Sequence, residues 1–146
     1  MRIAIASDHA GVAQKTSLVE WLMLNGYEVN DLGPYGETSV DYPDFAELVG
    51  KAIQAGSADF GILLCGTGIG MSIAANKLKG IRAANVTNTE FATLAREHND
   101  ANVVTLSARF VDVETNTAIV STFLNTAWLG DRHARRVDKV TSLEQG

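Results

Sequence analysis

The chain has 146 residues, of which 46% are hydrophobic and 20% are charged, and its net charge is −5. This composition is typical of one globular domain with a sizeable core, expected to span residues 1–146, and the negative charge disfavours nonspecific binding to nucleic acid. No stretch has the length of a membrane span or of a signal-peptide core, and the single cysteine cannot form an intrachain disulfide. We therefore expect no membrane association and a cytoplasmic location.

Five short apolar runs predict β-strands. Most of them lack polar alternation, which is typical of strands buried on both faces of a parallel sheet. The predicted strands are Arg2–Ser7, Tyr27–Asp31, Phe60–Cys65, Ile81–Val86 and Asn102–Leu106.

Helical patterns lie between these strands. A stripe from Phe45 to Ile53 follows Pro43, which is placed as in a first helical turn, and ends before Gly56, which is placed as a C-cap. The segment Thr87–Glu90 resembles a capping box ahead of an apolar stripe at Phe91, Leu94 and Ala95. Further helices are predicted over Met71–Lys79, the stripe Ile119–Ala127 and Asp131–Glu144. The alternation predicts an α/β fold, a three-layer α/β/α sandwich with a five-stranded parallel sheet (Rossmann-like) and a C-terminal helix.

Chemistry-bearing residues follow three of the predicted strands. Ligands of open α/β sheets bind beyond the carboxyl ends of the strands. Asp8 and His9 follow the first strand, Cys65 ends the third, and Arg109 lies shortly after the fifth. With the pair His98–Asn99, which precedes the fifth strand, these residues predict one site.

Three glycines, Gly66, Gly68 and Gly70, form a loop directly after Cys65. The loop lacks the Gly-Lys-Ser/Thr of a phosphate-binding Walker loop, and its spacing does not match the dinucleotide fingerprint. Two interpretations stay open from the residues alone: a structural turn, and a loop whose N–H groups bind an anion.

The lone cysteine also allows two interpretations. Most cysteines that end an apolar strand are small buried hydrophobes. Cys65, however, adjoins a predicted helix start and the only loop suited to stabilising an oxyanion, a setting that favours a thiolate. Such a thiolate suits either acyl transfer or abstraction of a proton next to a carbonyl group.

The remaining candidates are histidines and arginines. The three histidines show no HxH or HxxxH spacing, so no metal site is expected. Arg132 and Arg136 lie four residues apart near the start of the predicted last helix, where cations repel each other and oppose the helix dipole. This placement favours a bound phosphate between the two guanidinium groups.

Five stretches in register resemble the ribose-5-phosphate isomerase B family: IASDHAG, DYPDFA, GILLCGTGIGMSIAANKLKGIRAA, EHNDANVV and RHARRV. The resemblance covers essentially the whole chain. It implies an aldose–ketose isomerase of the pentose phosphate pathway that uses no metal or organic cofactor and forms homodimers, which often pair into tetramers. One departure is Ser107, which stands where the family usually has a glycine and bears on the placement of Arg109.

The resemblance also implies a role for each matching residue. Cys65 would be the base that moves a proton between C2 and C1 of the open-chain sugar, with assistance from Thr67. Asp8 and His98 would open the furanose ring. The other implied contacts are the N–H groups of Gly66, Gly68, Ile69 and Gly70 with the enediolate, Tyr42 and Asn99 with the sugar, and His9, Arg109, Arg132 and Arg136 with the phosphate.

The resemblance further implies that His98, Asn99, Tyr42 and Arg109 complete the site of a partner chain. The substrate stays open between ribose 5-phosphate and a hexose 6-phosphate of the allose or galactose type, because both kinds of isomerase belong among the relatives. A nucleotide-binding module and a thiol-redox or acyl-transfer protein are alternatives from other classes. Both fit the arginine pair poorly, and the single cysteine leaves redox chemistry without a resolving thiol.

Overall fold

The computed structural model describes residues 1–145, which form one parallel sheet covered on both faces by helices. All strand pairs are parallel, and the strands lie in the order β2-β1-β3-β5-β4. The strands are β1 Arg2–Ser7, β2 Glu28–Asp31, β3 Phe60–Cys65, β4 Ala83–Asn85 and β5 Val103–Ser107. The predicted α/β/α sandwich with five parallel strands is confirmed.

Helices connect the strands. They are α1 Val12–Leu24, α2 Tyr42–Gln54, α3 Ile69–Ala75, α4 Thr89–Asn99, α5 Val113–Asn125 and the C-terminal α6 Arg132–Ser142, with short 3-10 turns at His9–Gly11 and Leu143–Gln145. None of the helices within residues 1–145 is long and apolar enough to cross a lipid bilayer.

Two apolar cores lie on the two faces of the sheet, because successive strand residues point to opposite sides. Ile3 and Ile5 of β1 pack with α1, α4 and α5, whereas Ala4 and Ala6 pack with α2 and α3. Cys65, the last residue of β3, belongs to the second core.

The helices differ from the sequence prediction at several places. Helix α1 was not predicted, and α3 ends at Ala75, earlier than the predicted Lys79. Helix α4 begins one residue later than the predicted capping box implies, since Asn88 caps it by accepting the Phe91 N–H at 2.8 Å. Phe91 is 56% exposed, so the predicted apolar stripe of α4 does not pack into the core at its first position.

Strand order determines where a ligand has room to bind. The connection from β1 leads outward to β2, and the chain then returns to place β3 on the other side of β1. The carboxyl ends of β1 and β3 therefore flank a topological switch point, the usual ligand position in an open α/β sheet. Asp8 and Cys65 lie at these two strand ends.

Candidate active site

The sulfur of Cys65 lies under the glycine loop that follows β3. The residue is 5% exposed, and its Sγ accepts a hydrogen bond from the Gly68 N–H at 3.1 Å. Gly68 has φ +82°, a left-handed conformation that glycine adopts without strain and that turns the chain from the loop into α3. This hydrogen bond holds the sulfur directly beside the loop.

Other N–H groups of the loop are free to bind a ligand. Within residues 1–145, no group accepts a hydrogen bond from the N–H of Gly66, Thr67 or Gly70. The Thr67 hydroxyl accepts the Ile69 N–H at 3.1 Å, and the Thr67 side chain is exposed. Several free donors next to a sulfur are suited to hold an oxyanion while the sulfur takes up a proton.

Asp8 and His9 follow β1 and border the same loop. The Asp8 N–H donates to the carbonyl of Leu64 at 2.9 Å, which joins the two strand ends. Asp8 Oδ1 accepts the Ala10 N–H at 2.9 Å. His9 Nδ1 accepts the Val40 N–H at 3.2 Å, so a neutral His9 ring carries its proton on Nε2 and can donate it to a ligand.

Tyr42 and Arg109 lie against the glycine loop of their own chain. A Cβ built on Gly70 would lie 2.7 Å from the Tyr42 ring, and one built on Gly66 would lie 3.1 Å from Arg109 Nη1. The resemblance implied that these two side chains complete the site of a partner chain, but they lie beside the glycine loop of their own chain. A side chain at Gly70 would force the Tyr42 ring to move, whereas one at Gly66 would require only a small shift of the exposed Arg109 side chain.

A second group of polar residues surrounds the end of α4. The rings of His98 and His133 stack with their centroids 4.3 Å apart and their planes at 17°. Arg136 Nη1 lies 3.5 Å from His133 Nδ1, and Arg136 and Asn99 line a cavity of about 700 Å³ beside α6.

Burial lowers the pKa of His133, and the neighbouring His98, Arg132 and Arg136 lower it further, whereas Asp131 acts in the opposite direction. His133 Nε2 is buried and has no hydrogen-bond partner within the described chain. The second group is therefore cationic around a ring that resists protonation, which suits the binding of an anion.

The two groups lie at opposite ends of the strands, one at their carboxyl ends and the other at their amino ends. Helix α4 ends at Asn99, just before β5 begins, whereas Cys65 pairs with Ser107 at the end of β5. Five residues of strand span about 16 Å at roughly 3.3 Å each, so one chain does not bring His98 to Cys65. The candidate residues of one chain therefore form two separate groups. The group at the carboxyl ends of the strands contains Asp8, His9, Tyr42, Cys65, Gly66, Thr67, Gly68, Ile69, Gly70 and Arg109. The group at the amino ends contains His98, Asn99, Arg132 and Arg136.

Sequence reasoning missed two features of these groups. His133 lies between the two arginines that were singled out, and its position three residues before Arg136 was the available signal. The buried amide of Asn116, which bonds to the carbonyl of Ser107 at 2.9 Å, had no signal because its partners are distant in the chain. Within residues 1–145, no three His, Cys, Asp or Glu side chains are arranged to hold a metal ion.

Comparison with known proteins identifies relatives along nearly the whole chain. A family model described as Ribose/Galactose Isomerase matches residues 3–140. The chain is 42% identical to ribose-5-phosphate isomerase B of Escherichia coli, over 99% of this chain and 97% of that protein.

Two solved structures share this fold closely. A crystal structure of a ribose 5-phosphate isomerase from Thermotoga maritima has a TM-score of 0.95 and 51% identity, covering 97% of both chains. The structure of ribose-5-phosphate isomerase B from Mycoplasma genitalium with bound ribulose-5-phosphate has a TM-score of 0.94 and 47% identity, covering 99% of this chain and 96% of that one.

Proposed function

Since the chain belongs to the ribose/galactose isomerase family, we propose that it interconverts ribose 5-phosphate and ribulose 5-phosphate through an enediolate, with Cys65 as the base. The chain is an aldose–ketose isomerase. The observation that carries the proposed mechanism is the Cys65 sulfur held beside a loop with free N–H donors.

The reaction requires removal of a weakly acidic proton from carbon. In the direction from aldose to ketose, the Cys65 thiolate takes the proton from C2 and returns it to C1. Negative charge develops on the neighbouring oxygen, where the N–H groups of Gly66, Thr67 and Gly70 stabilise it. A positioned base contributes about 10²–10⁴-fold to the rate, and each oxyanion donor contributes about 3 kcal/mol. The exposed hydroxyl of Thr67 exchanges a proton with the substrate oxygens.

Ring opening and binding of the phosphate use the other site residues. Asp8 and His98 move the proton that opens the furanose ring, and Tyr42 and Asn99 contact the sugar hydroxyls. The phosphate binds to the Nε2–H of His9 and to guanidinium groups, which bind its oxygens in a bidentate manner. These guanidinium groups belong to Arg109, Arg132 and Arg136.

We further propose that two copies of the chain form each site. The separation of the two residue groups by the length of β5 supports this arrangement. In a symmetric dimer, the amino ends of the strands of one copy can lie next to the carboxyl ends of the strands of the other. Large apolar side chains next to the edge strand β4 also support it. Ile69 and Ile73 of α3 are 54% and 59% exposed, and Phe91 of α4 is 56% exposed. Large apolar side chains exposed near one another are common at interfaces between proteins.

The substrate is tested by comparing three sugar phosphates. Purified protein is incubated with ribose 5-phosphate, allose 6-phosphate and galactose 6-phosphate, and formation of each ketose is followed by NMR. We expect the highest kcat/KM for ribose 5-phosphate, with Cys65→Ala purified identically as the control for contaminating isomerases. A tenfold higher kcat/KM for a hexose phosphate would contradict the proposed substrate, and no ketose from any of the three would contradict the proposed function.

A further inference from the structure

We infer that Ser107 is a positioning residue that holds Arg109 and the Gly66 peptide in one fixed arrangement, an inference that rests on the proposed function for its effect on turnover. Ser107 is the last residue of β5 and is 3% exposed. Its hydroxyl donates to the carbonyl of Gly66 at 2.8 Å and accepts the Phe110 N–H at 3.1 Å. One side chain thus joins the glycine loop to the segment that carries Arg109.

The Gly66 carbonyl receives two donors. Besides the Ser107 hydroxyl, the Arg109 N–H donates to it at 3.1 Å. The peptide unit is planar and trans, so a carbonyl fixed toward β5 directs the N–H of Thr67 to the opposite side. That N–H is one of the free donors of the loop, and hydrogen bonds to the carbonyl polarise the peptide and strengthen its N–H as a donor. The contact therefore affects both Arg109 and an oxyanion donor.

The amides of Asn116 and Gln14 hold the same segment from its other side. The Asn116 amide is fully buried and donates to the carbonyl of Ser107 at 2.9 Å and to Gln14 Oε1 at 2.7 Å. Gln14 in turn donates to the carbonyls of Ala108 and Val111 at 3.2 and 2.8 Å. The segment is thus fixed on both sides of Arg109, whose own side chain is exposed and free to contact a ligand.

Removing the hydroxyl leaves the surrounding backbone connections in place. The Ala108 N–H still donates to the carbonyl of Cys65 at 2.9 Å, and the Arg109 N–H still reaches Gly66. Ser107→Ala is therefore expected to fold. Its local losses are one donor to the Gly66 carbonyl and the acceptor of the Phe110 N–H, and both losses loosen the segment around Arg109.

Two measurements on Ser107→Ala test the inference. Amide hydrogen exchange followed by NMR reports the Arg109 N–H directly and does not depend on any activity. We expect exchange at Arg109 to become about five- to tenfold faster, and kcat/KM for ribose 5-phosphate to fall by a similar factor, as for loss of one net hydrogen bond. Thr117→Val is the matched control, because the Thr117 hydroxyl bonds only to Val113 within α5. It should change neither value.

A second variant shows whether the effect passes through Arg109. In an Arg109→Ala background, Ser107→Ala should lower kcat/KM by much less than it does alone, because coupled residues are not additive. Ser107→Thr, which keeps the hydroxyl, should restore most of the activity. Unchanged exchange at Arg109, or faster exchange with unchanged kcat/KM, would overturn the inference. Wild-type protein inactive on ribose 5-phosphate would instead contradict the proposed function, and the exchange at Arg109 would still decide whether Ser107 holds the segment.

Discussion

Replacing Cys65 by alanine separates the chemistry of the site from its folding. The substitution removes one buried sulfur and leaves the Gly68 N–H without its acceptor at 3.1 Å. An unpaired buried donor costs about 1–3 kcal/mol, whereas a domain of this kind has about 5–15 kcal/mol of stability. We therefore expect Cys65→Ala to remain folded, with a lower free energy of unfolding.

The expected loss of activity is much larger than the loss of stability. Without its base, the enzyme loses about 10²–10⁴-fold in kcat. Cys65→Ser is the matched variant: its hydroxyl keeps an acceptor for the Gly68 N–H but gives up a proton far less readily than a thiol does. Cys65→Ser should thus be as stable as the wild type and nearly as inactive as Cys65→Ala.

The assay combines turnover, folding and binding. The value of kcat is measured with ribose 5-phosphate, unfolding is followed by circular dichroism in denaturant, and affinity for ribose 5-phosphate is measured by calorimetry on the inactive variants. Binding should stay within a few-fold between the variants, because the phosphate contacts lie elsewhere. Turnover of Cys65→Ala within tenfold of the wild type would refute the assignment of Cys65 as the base.

Three further predictions concern other parts of the molecule. Arg136→Ala should raise KM for the sugar phosphate more than it lowers kcat, and an equal loss of kcat/KM on an unphosphorylated sugar would show that Arg136 does not bind phosphate. The pKa of His133 is lowered by folding, so the unfolded chain binds more protons as the pH falls through about 6.5. Wild-type stability relative to His133→Phe should therefore fall from pH 7.5 to 5.5 in denaturant titrations, and a pH-independent difference would contradict this. Asn88→Ala removes the acceptor of the Phe91 N–H and should lower the free energy of unfolding by about 1 kcal/mol, whereas an unchanged midpoint of unfolding would show that this cap contributes nothing.

The strands were predictable because apolar runs without alternation identify strands buried on both faces. The bounds of β1 and β3 agree with the prediction, β2 begins one residue later, and β4 and β5 differ by one or two residues at each end. Helix α1 was not predicted, since Lys15 occupies one of its buried positions and Met23 and Leu24 are exposed. Lys15 is buried because its Nζ lies 2.7 Å from Asp31 Oδ1, an ion pair between distant residues that no local pattern reveals.

Candidate site residues could be named from the sequence, but their arrangement in space could not. Residues that follow strands could be assigned to the carboxyl ends of the strands, and the structure places Asp8, Cys65 and Arg109 there. His98 lies at the end of α4, just before β5 begins, and therefore at the amino ends of the strands. This placement follows from the direction of the helix and not from the type of residue. The bond between Ser107 and Gly66 joins residues 41 positions apart and could not be inferred from sequence spacing.

Mixing two inactive variants tests the central claim, that two copies of the chain together form each isomerase site around Cys65. Cys65→Ala and His98→Asn are each expected to be nearly inactive as homodimers. When they are unfolded and refolded together in equal amounts, half of the dimers should be mixed, and each mixed dimer should contain one doubly substituted site and one intact site. The refolded mixture should then recover about a quarter of the wild-type activity on ribose 5-phosphate. A mixture that stays inactive, although native mass spectrometry detects mixed dimers, would contradict the claim.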